Sequence, residues 1–151
     1  MGKIAVLHGI NLQLLGRREP AVYGRTTLAE IDARLRQMGE AAGVEVYCRQ
    51  TNYEGEFVEW IAELGTEDFL ILNPGAWTHT QHSIYDAIKG TGTPAIEVHL
   101  SNIHAREAFR AQSVVAGACA GQICGLGEDS YYLAMNYALK RVRPEQKDGR
   151  M

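Results

Sequence analysis

The run Phe69-Leu70-Ile71-Leu72, followed at once by Asn73-Pro74-Gly75, decides the fold class of this chain. Four consecutive apolar residues are typical of a strand buried on both faces, as strands of a parallel sheet are. The proline and glycine that follow predict a turn, which leaves the asparagine at the carboxyl end of the strand. We therefore expect a central parallel strand with a polar residue at its end.

Working outward from this run, short apolar segments alternate with segments of helical periodicity. Strands are predicted at residues 4–7, 44–48, 69–72, 94–99 and 118–124, and helices at 27–43, 54–64, 79–88 and 131–139. Strands that alternate with helices favour a parallel sheet covered by helices on both faces. Five such strands predict an α/β, flavodoxin-like, doubly wound fold. We expect residues 1–142 to form a single catalytic domain and residues 143–151 a polar tail.

Composition excludes several classes of protein. The 151 residues are 46% hydrophobic and 22% charged, which is typical of globular rather than disordered chains. Fifteen basic against 18 acidic residues leave a net charge of −3, so no broad basic surface is expected for nucleic acid or an anionic membrane. No segment has the length of a membrane span or the pattern of a signal peptide. Together with Cys48, Cys119 and Cys124, interpreted as buried free thiols, this predicts a cytoplasmic protein.

The polar ends of the predicted strands locate the site, because ligands of parallel sheets bind beyond the carboxyl ends of the strands. These ends are His8-Gly9-Ile10-Asn11, Gln50-Thr51-Asn52, Asn73-Pro74-Gly75 and His99-Leu100-Ser101-Asn102. They are rich in amides, histidines and hydroxyls and poor in carboxylates. Such a site would suit a hydroxylated, anionic small molecule.

Several familiar kinds of site are absent from the sequence. It contains no phosphate-binding loop, no dinucleotide fingerprint and no nucleophile elbow. His79 and His82 could share a helix face, with His99 on a strand end, but they lack the three or four ligands of a zinc site, so no metal is predicted. His8, His82 and His104 are interpreted as solvated or hydrogen-bonded polar residues.

The loop at residues 15–24 offers a possible general base. It brings Arg17 and Arg18 within six residues of Tyr23. A neighbouring guanidinium lowers the pKa of a phenol by ~1–3 units, which would make the phenol usable as a base. The alternative, which spacing alone favours, is a surface loop with solvated arginines and a tyrosine packed on the domain.

Glu97 and His99 offer a possible general acid. Two residues apart on a strand, their side chains share a face. A carboxylate beside an imidazole favours the protonated ring and selects its tautomer. A purely structural hydrogen bond at the strand end explains the pair equally well.

A series of motifs carries a resemblance to a known family. The motifs are, in chain order, Gly9-x-Asn11-Leu12-x-Leu14-Leu15-Gly16, Arg18-Glu19-Pro20-x-x-Tyr23-Gly24, Gln50-x-Asn52-x-Glu54-Gly55-Glu56, Asn73-Pro74-Gly75-Ala76-x-Thr78-His79-Thr80, Asp86-Ala87, Glu97-Val98-His99-Leu100-Ser101-Asn102-Ile103-His104-Ala105-Arg106-Glu107 and Phe109-Arg110-x-x-Ser113. With these motifs the chain resembles the type II 3-dehydroquinate dehydratases, from residue 4 to about residue 139.

The resemblance implies a hydro-lyase that converts 3-dehydroquinate to 3-dehydroshikimate by anti elimination through an enolate. The reaction would serve aromatic biosynthesis or quinate catabolism and would use no metal, cofactor or lysine imine. The resemblance also implies a flavodoxin-like fold and a homo-dodecamer built as a tetramer of trimers.

The same resemblance implies roles for individual residues. Tyr23 would remove the C2 proton, Arg18 would keep Tyr23 anionic, and Asn11 would hold the water that stabilises the enolate oxygen. His99, oriented by Glu97, would protonate the departing C1 hydroxyl. Substrate contacts are implied for Asn73, His79, the backbone amides of Leu100 and Ser101, Arg110, and Asp86 of a neighbouring subunit.

The chain departs from the family pattern at a few positions that border the expected pocket. His8-Gly9-Ile10-Asn11 stands where the family usually has Asn-Gly-Pro-Asn, and Gln81, Ala111 and Gln112 also differ. These departures leave two alternatives open. One is a paralogue that uses the same enolate chemistry on another polyhydroxy cyclic acid. The other is a catalytically silent ligand-binding domain.

Overall fold

Five strands alternate with helices along the chain. The strands are β1 (Ile4–His8), β2 (Val46–Gln50), β3 (Phe69–Asn73), β4 (Ala95–His99) and β5 (Gly121–Cys124). The helices are α1 (Pro20–Tyr23), α2 (Leu28–Ala42), α3 (Glu54–Ala62), α4 (His82–Thr91) and α5 (Asp129–Val142). Short 3-10 segments lie at Leu12–Leu14, Gly75–His79, Ile103–Ala105, Ala108–Ala111 and Ala116–Ala118.

The structure, a computed structural model, describes residues 2–17 and 19–142, with the side chain of Tyr23 excepted. Arg18 and the Tyr23 side chain, both predicted site residues, therefore lie outside the described residues, as does the predicted tail at 143–151. The division into a domain over 1–142 and a tail stays a prediction. Within the described residues, no helix is both long and apolar enough to cross a membrane.

The strands form one parallel sheet in the order β2-β1-β3-β4-β5. This order confirms the predicted flavodoxin-like α/β fold. The register aligns the strand ends, because His8 on β1 lies opposite both Gln50 on β2 and Asn73 on β3. The polar residues that end these three strands therefore lie side by side.

Helices cover both faces of the sheet because alternate strand residues point to opposite faces. Ile4 and Val6 belong to the apolar core on the face covered by α2 and α5. Ala5 and Leu7 belong to the core on the other face, with residues of α3 and α4. The continuous apolar run 69–72 on β3 is fully buried, as predicted for a strand covered on both sides.

Two glycines bring the loops after β1 and β3 together. A Cβ on Gly9 would lie 2.4 Å from the carbonyl oxygen of Pro74, and one on Gly75 would lie 2.7 Å from that of Ile10. Gly75 also has a φ of +64°, a conformation that favours glycine. The two loops that carry site residues can therefore pack directly against each other.

Some predicted boundaries are wrong. The helix predicted from residue 79 begins at His82, since Gly75–His79 is a 3-10 turn and Thr80 and Gln81 leave the helical conformation. His79 and His82 therefore do not share a helix face. The predicted loop at residues 15–24 contains α1, and β2 runs Val46–Gln50 rather than 44–48. The three cysteines are half-buried rather than fully buried.

Candidate active site

A pocket opens at the carboxyl ends of β1, β3 and β4, beside the point where the strand order reverses. Its empty space, which includes open solvent at the mouth, is about 650 Å³. The polar part of its lining is Asn11, Asn73, His79, His99, Ser101, Arg106 and Arg110. Apolar residues complete it, namely Ile10, Leu12, Leu14, Leu15, Gly75, Ala76, Leu100 and Ile103.

The fold brings most of the predicted site residues to this pocket. The lining contains seven of them: Asn11, Asn73, His79, His99, Leu100, Ser101 and Arg110. Glu97 lies fully buried behind His99. Within the described part of the chain, Asp86 is exposed on α4 and is not among the lining residues.

Glu97 and His99 are in direct contact. Oε2 of Glu97 lies 2.5 Å from Nε2 of His99, and both side chains are buried. A carboxylate accepts hydrogen bonds, so Nε2 of the imidazole carries the donated hydrogen. Nδ1 is the remaining ring nitrogen, and His99 itself lines the pocket. The contact therefore selects the ring orientation and stabilises a protonated ring.

Glu97 is held by several donors in addition to His99. Its Oε2 accepts hydrogen bonds from Thr78 Oγ1 at 3.0 Å and Gln122 Nε2 at 2.8 Å, and its Oε1 accepts one from Ser113 Oγ at 2.7 Å. Burial raises the pKa of this carboxyl, but the hydrogen bonds and the His99 charge outweigh it and leave the pKa below its ordinary value. Glu97 is therefore ionised at neutral pH.

His79 is oriented by the backbone. Its Nδ1 lies 2.8 Å from the carbonyl oxygen of Gln112, which can only accept, so Nδ1 carries a hydrogen. Its ring also meets Phe109 edge to face at 5.8 Å between centroids. Nε2 is left as the ring atom with which His79 can meet a ligand.

Two arginines give the pocket a positive charge. Arg106 donates from Nη1 to Ser101 Oγ at 3.2 Å, and Arg110 donates to the Glu107 carboxylate and lies over the Phe109 ring. The described lining residues include no carboxylate. An anion is therefore favoured in this pocket although the whole chain is acidic.

Arg106 was missed as a site residue by the sequence reasoning. It lies inside the quoted motif after β4, but that motif mixes lining and non-lining residues. Arg106 lies between the 3-10 segments Ile103–Ala105 and Ala108–Ala111, and Arg110, four residues later, lies in the second of them. The spacing of two arginines at i and i+4 in a loop was the available signal, and it does not by itself indicate a shared pocket.

Asn11 has an unusual backbone conformation. Its φ is +68°, in the left-handed region that asparagine tolerates better than most residues. Its backbone N–H donates to Asn52 Oδ1 at 2.9 Å, and Gln50 Nε2 donates to the same oxygen at 3.0 Å. The polar ends of β1 and β2 therefore hold Asn11 at the pocket.

The departures from the family pattern are mostly outside the pocket. Ile10 lines it, whereas Gln81, Ala111 and Gln112 are absent from the described lining. Gln81 hydrogen-bonds to the Glu54 carboxylate, and Gln112 acts through its carbonyl on His79.

Metal and thiol chemistry find no support among the described residues. That part of the chain contains no group of three or more His, Cys, Asp or Glu arranged to hold a metal ion. Burial raises the pKa of the Cys119 thiol to about 12 and that of Cys124 to about 11, so both remain protonated at neutral pH.

Comparisons with known proteins agree on one family. The family model described as dehydroquinase class II matches residues 2–139. A 3-dehydroquinate dehydratase of Desulfitobacterium hafniense is 59% identical over 142 residues, 94% of this chain and 98% of that protein. One from Thermus thermophilus is 52% identical over 89% of this chain and 91% of its own length. The crystal structure of the type II dehydroquinase from Propionibacterium acnes superposes with a TM-score of 0.86 at 43% identity, covering 93% of this chain and 97% of that one.

Proposed function

This chain belongs to the class II dehydroquinase family, and we propose how the side chains of its pocket carry out the family's reaction. The protein is a 3-dehydroquinate dehydratase, a hydro-lyase that converts 3-dehydroquinate to 3-dehydroshikimate and water, and this activity fits a role in the shikimate pathway. The two alternatives, a paralogue with another substrate and a silent binding domain, are not favoured by relatives of this identity and coverage.

The observation that carries the assignment of roles is the buried Glu97–His99 pair on the wall of a cationic pocket. An elimination of water needs a base for the departing proton, an acid for the departing hydroxyl and stabilisation of the charge between them. The described lining offers candidates for the acid and for charge stabilisation, and the candidate base comes from the loop at residues 15–24.

The first step is removal of a proton from C2, next to the ketone. Tyr23 is the base, and Arg18 keeps its phenolate available. The electron pair of the broken C–H bond moves toward the carbonyl and forms an enolate. Asn11, held by Asn52, orients the water that hydrogen-bonds to the enolate oxygen.

The second step is loss of the C1 hydroxyl. The electron pair of the enolate forms the new double bond while the C–O bond breaks. His99 gives its Nδ1 proton to the departing oxygen, so water leaves, and Glu97 stabilises the protonated ring before the transfer. The enzyme returns to its starting state when the proton taken by Tyr23 and the proton lost by His99 exchange with water.

Substrate binding follows from the charges and donors of the lining. The substrate is an anion, so the guanidinium of Arg110, together with Arg106, attracts its carboxylate. The backbone amides of Leu100 and Ser101 follow the end of β4 and add donors for the same group. Asn73 and His79 meet the ring hydroxyls.

We further propose that the protein assembles as a homo-dodecamer, a tetramer of trimers, in the cytoplasm. Asp86 supports an assembly in which sites are shared, because it is exposed on α4 and outside the described lining of its own pocket. In the assembly it completes the site of a neighbouring subunit.

A direct assay tests these roles. Purified protein is incubated with 3-dehydroquinate, and the conjugated enone of the product is followed by its ultraviolet absorbance. We expect turnover by the wild type and its loss in His99→Ala. If the wild type instead binds 3-dehydroquinate but does not convert it, the result would support the silent binding domain.

A further inference from the structure

A buried hydrogen-bonded chain runs from the protein surface to the pocket. Oδ1 of Asp32 on α2 lies 2.7 Å from Nε2 of His8 on β1, and Nδ1 of His8 lies 2.8 Å from the hydroxyl of Tyr131 on α5. The same hydroxyl lies 3.0 Å from Nδ2 of Asn73 on β3, whose Oδ1 accepts from the backbone N–H of Gly75. We call these four side chains the Asp32–Asn73 relay.

The two ends of the relay determine the polarity of its outer hydrogen bonds, and the buried Tyr131 hydroxyl decides the central one. The Gly75 N–H can only donate, so the atom of Asn73 that meets it is the oxygen, and the amide nitrogen faces Tyr131. The Tyr131 oxygen accepts from that nitrogen, and its own buried hydrogen needs an acceptor, which Nδ1 of His8 provides. Nε2 of His8 then carries the ring hydrogen and donates to the Asp32 carboxylate, which can only accept.

The central groups of the relay have no contact with water. His8 and Tyr131 are both 0% exposed, whereas 16% of the Asp32 side chain is exposed. Burial, opposed in part by the Asn73 hydrogen bond, raises the pKa of Tyr131 far above its ordinary range, so the phenol keeps the hydrogen that it donates. Loss of one link leaves its neighbours without a hydrogen-bond partner, and a buried polar group without a partner destabilises the fold.

We propose that His8 is a positioning residue that acts through Tyr131 to orient the amide of Asn73 toward the substrate. The inference rests on the proposed contact between Asn73 and a ring hydroxyl. One hydrogen of the Asn73 amide goes to Tyr131, and the second is left for a hydroxyl oxygen in the pocket that Asn73 lines. Because its oxygen accepts from the Gly75 N–H, the Asn73 amide cannot flip without breaking its hydrogen bonds to Gly75 and Tyr131.

Steady-state kinetics separate positioning from general stability. Tyr131→Phe retains the ring in the core and removes the central link of the relay. We expect KM for 3-dehydroquinate to rise about tenfold with kcat within about threefold of wild type, because the lost interaction is made in the bound substrate and the transition state alike. Tyr132→Phe is the matched control, since the next tyrosine of α5 bonds to Glu128 instead. An unchanged KM in Tyr131→Phe overturns the proposal.

Variants of His8 test the proposed polarity. His8→Gln retains an acceptor for Tyr131 and a donor for Asp32, and we expect it to keep KM near wild type. His8→Leu removes both and should raise KM as Tyr131→Phe does. If His8→Gln and His8→Leu have the same KM, hydrogen bonding through residue 8 has no part in substrate binding and the proposal fails.

A double-mutant cycle identifies the residue through which the relay acts. Tyr131→Phe should add no further rise in KM to a protein that already carries Asn73→Ala, because the relay's target is gone. Additive effects contradict the proposal. If Asn73→Ala itself leaves KM unchanged, the proposed substrate contact of Asn73 has failed, and positioning through it is overturned.

Nuclear magnetic resonance tests the relay without reference to catalysis or to the folding of any variant. In wild-type protein labelled with ¹⁵N at histidine, His8 should be the neutral tautomer with its hydrogen on Nε2. A hydrogen on Nδ1 overturns the proposal outright. The expected tautomer combined with a wild-type KM in Asn73→Ala would show that the relay exists and that the contact of Asn73 with substrate is what failed.

Discussion

Oε2 of Glu97 lies 2.5 Å from Nε2 of His99, two residues further along the same strand. The alternation of side chains on β4 puts both on one face, and the fold buries the carboxylate completely while His99 reaches the pocket. Glu97 thus supplies a buried negative charge, and His99 contacts both that charge and the pocket.

The first prediction concerns the acid. His99→Ala should lower kcat by ~10²–10⁴-fold, the usual scale for loss of a general acid, because the hydroxyl then leaves unprotonated. The measurement is kcat from the absorbance of the product enone. His104→Ala is the control, because that histidine is exposed and absent from the described lining. Equal kcat values in the two variants would remove His99 from the mechanism.

The second prediction concerns the base. Tyr23→Phe removes the phenolic oxygen and should lower kcat by ~10²–10⁴-fold, and Arg18→Ala should cause a loss on the same scale. Tyr53→Phe is the matched control, since Tyr53 is 75% exposed and outside the described lining. Near-wild-type turnover in Tyr23→Phe would contradict its assignment as base.

The third prediction concerns stability in acid. The pKa of Glu97 is lower in the folded protein than its ordinary value of 4.5. A carboxyl of this kind stabilises the fold fully above its unfolded pKa, and the contribution is lost as the pH falls from there through the folded pKa. The stability of the wild type should therefore decrease below about pH 4.5, in part through this group.

Glu97→Gln isolates that contribution. It should destabilise the protein by ~1–3 kcal/mol at pH 7, because a buried amide cannot accept from all four donors. It should also make the acid decrease in stability shallower than in wild type. Urea unfolding from pH 7 to pH 3 measures both quantities, and parallel curves for the two proteins would show that Glu97 carries no acid-sensitive stability.

The fourth prediction concerns the cationic lining. Arg110→Ala and Arg106→Ala should each raise KM by ~10-fold or more, because each removes a charge from a pocket whose described lining has no carboxylate. Lysine at either position should recover part of the loss, since it restores charge without the planar fork. Arg141→Ala is the control, because Arg141 is exposed on α5. If KM is unchanged in both Arg110→Ala and Arg106→Ala, the substrate carboxylate binds elsewhere.

The fifth prediction concerns assembly. Light scattering should give a particle of about twelve times the 16.7 kDa chain mass. If Asp86 serves a neighbouring site, Asp86→Ala and His99→Ala subunits reassembled together should form some complete sites and regain activity that neither has alone. A monomer in solution, or mixtures no more active than their parts, would exclude the shared site.

Much of the fold was predictable from local pattern. The apolar run on β3, the capping residue Thr27 before α2 and Gly43 after that helix each indicate their element, because the physical cause lies within a few residues. The boundary at His82 was not predictable in the same way. Residues 79–88 have helical periodicity, but the 3-10 turn Gly75–His79 and the extended Gln81 separate His79 from α4.

Some site residues could likewise be assigned from the sequence and others could not. Glu97 and His99 could be paired from sequence because strand geometry alone puts i and i+2 on one face. Arg106 could not be assigned, because its place in the pocket depends on the path of the loop after β4. The relay from Asp32 to Asn73 was also out of reach, since its four members come from α2, β1, α5 and β3.

The sequence by itself determined the α/β class, the polar ends of the strands, the Glu97–His99 pair and, through its motifs, the family. These depend on periodicity, spacing and residue type, which are properties of the chain before it folds. The tertiary structure alone decided that His8 is a buried link rather than a solvated polar residue, and that Arg106 joins Arg110 at the pocket. Both outcomes depend on the packing of distant elements, and hydrogen bonds between residues up to 123 positions apart leave no local pattern in the chain.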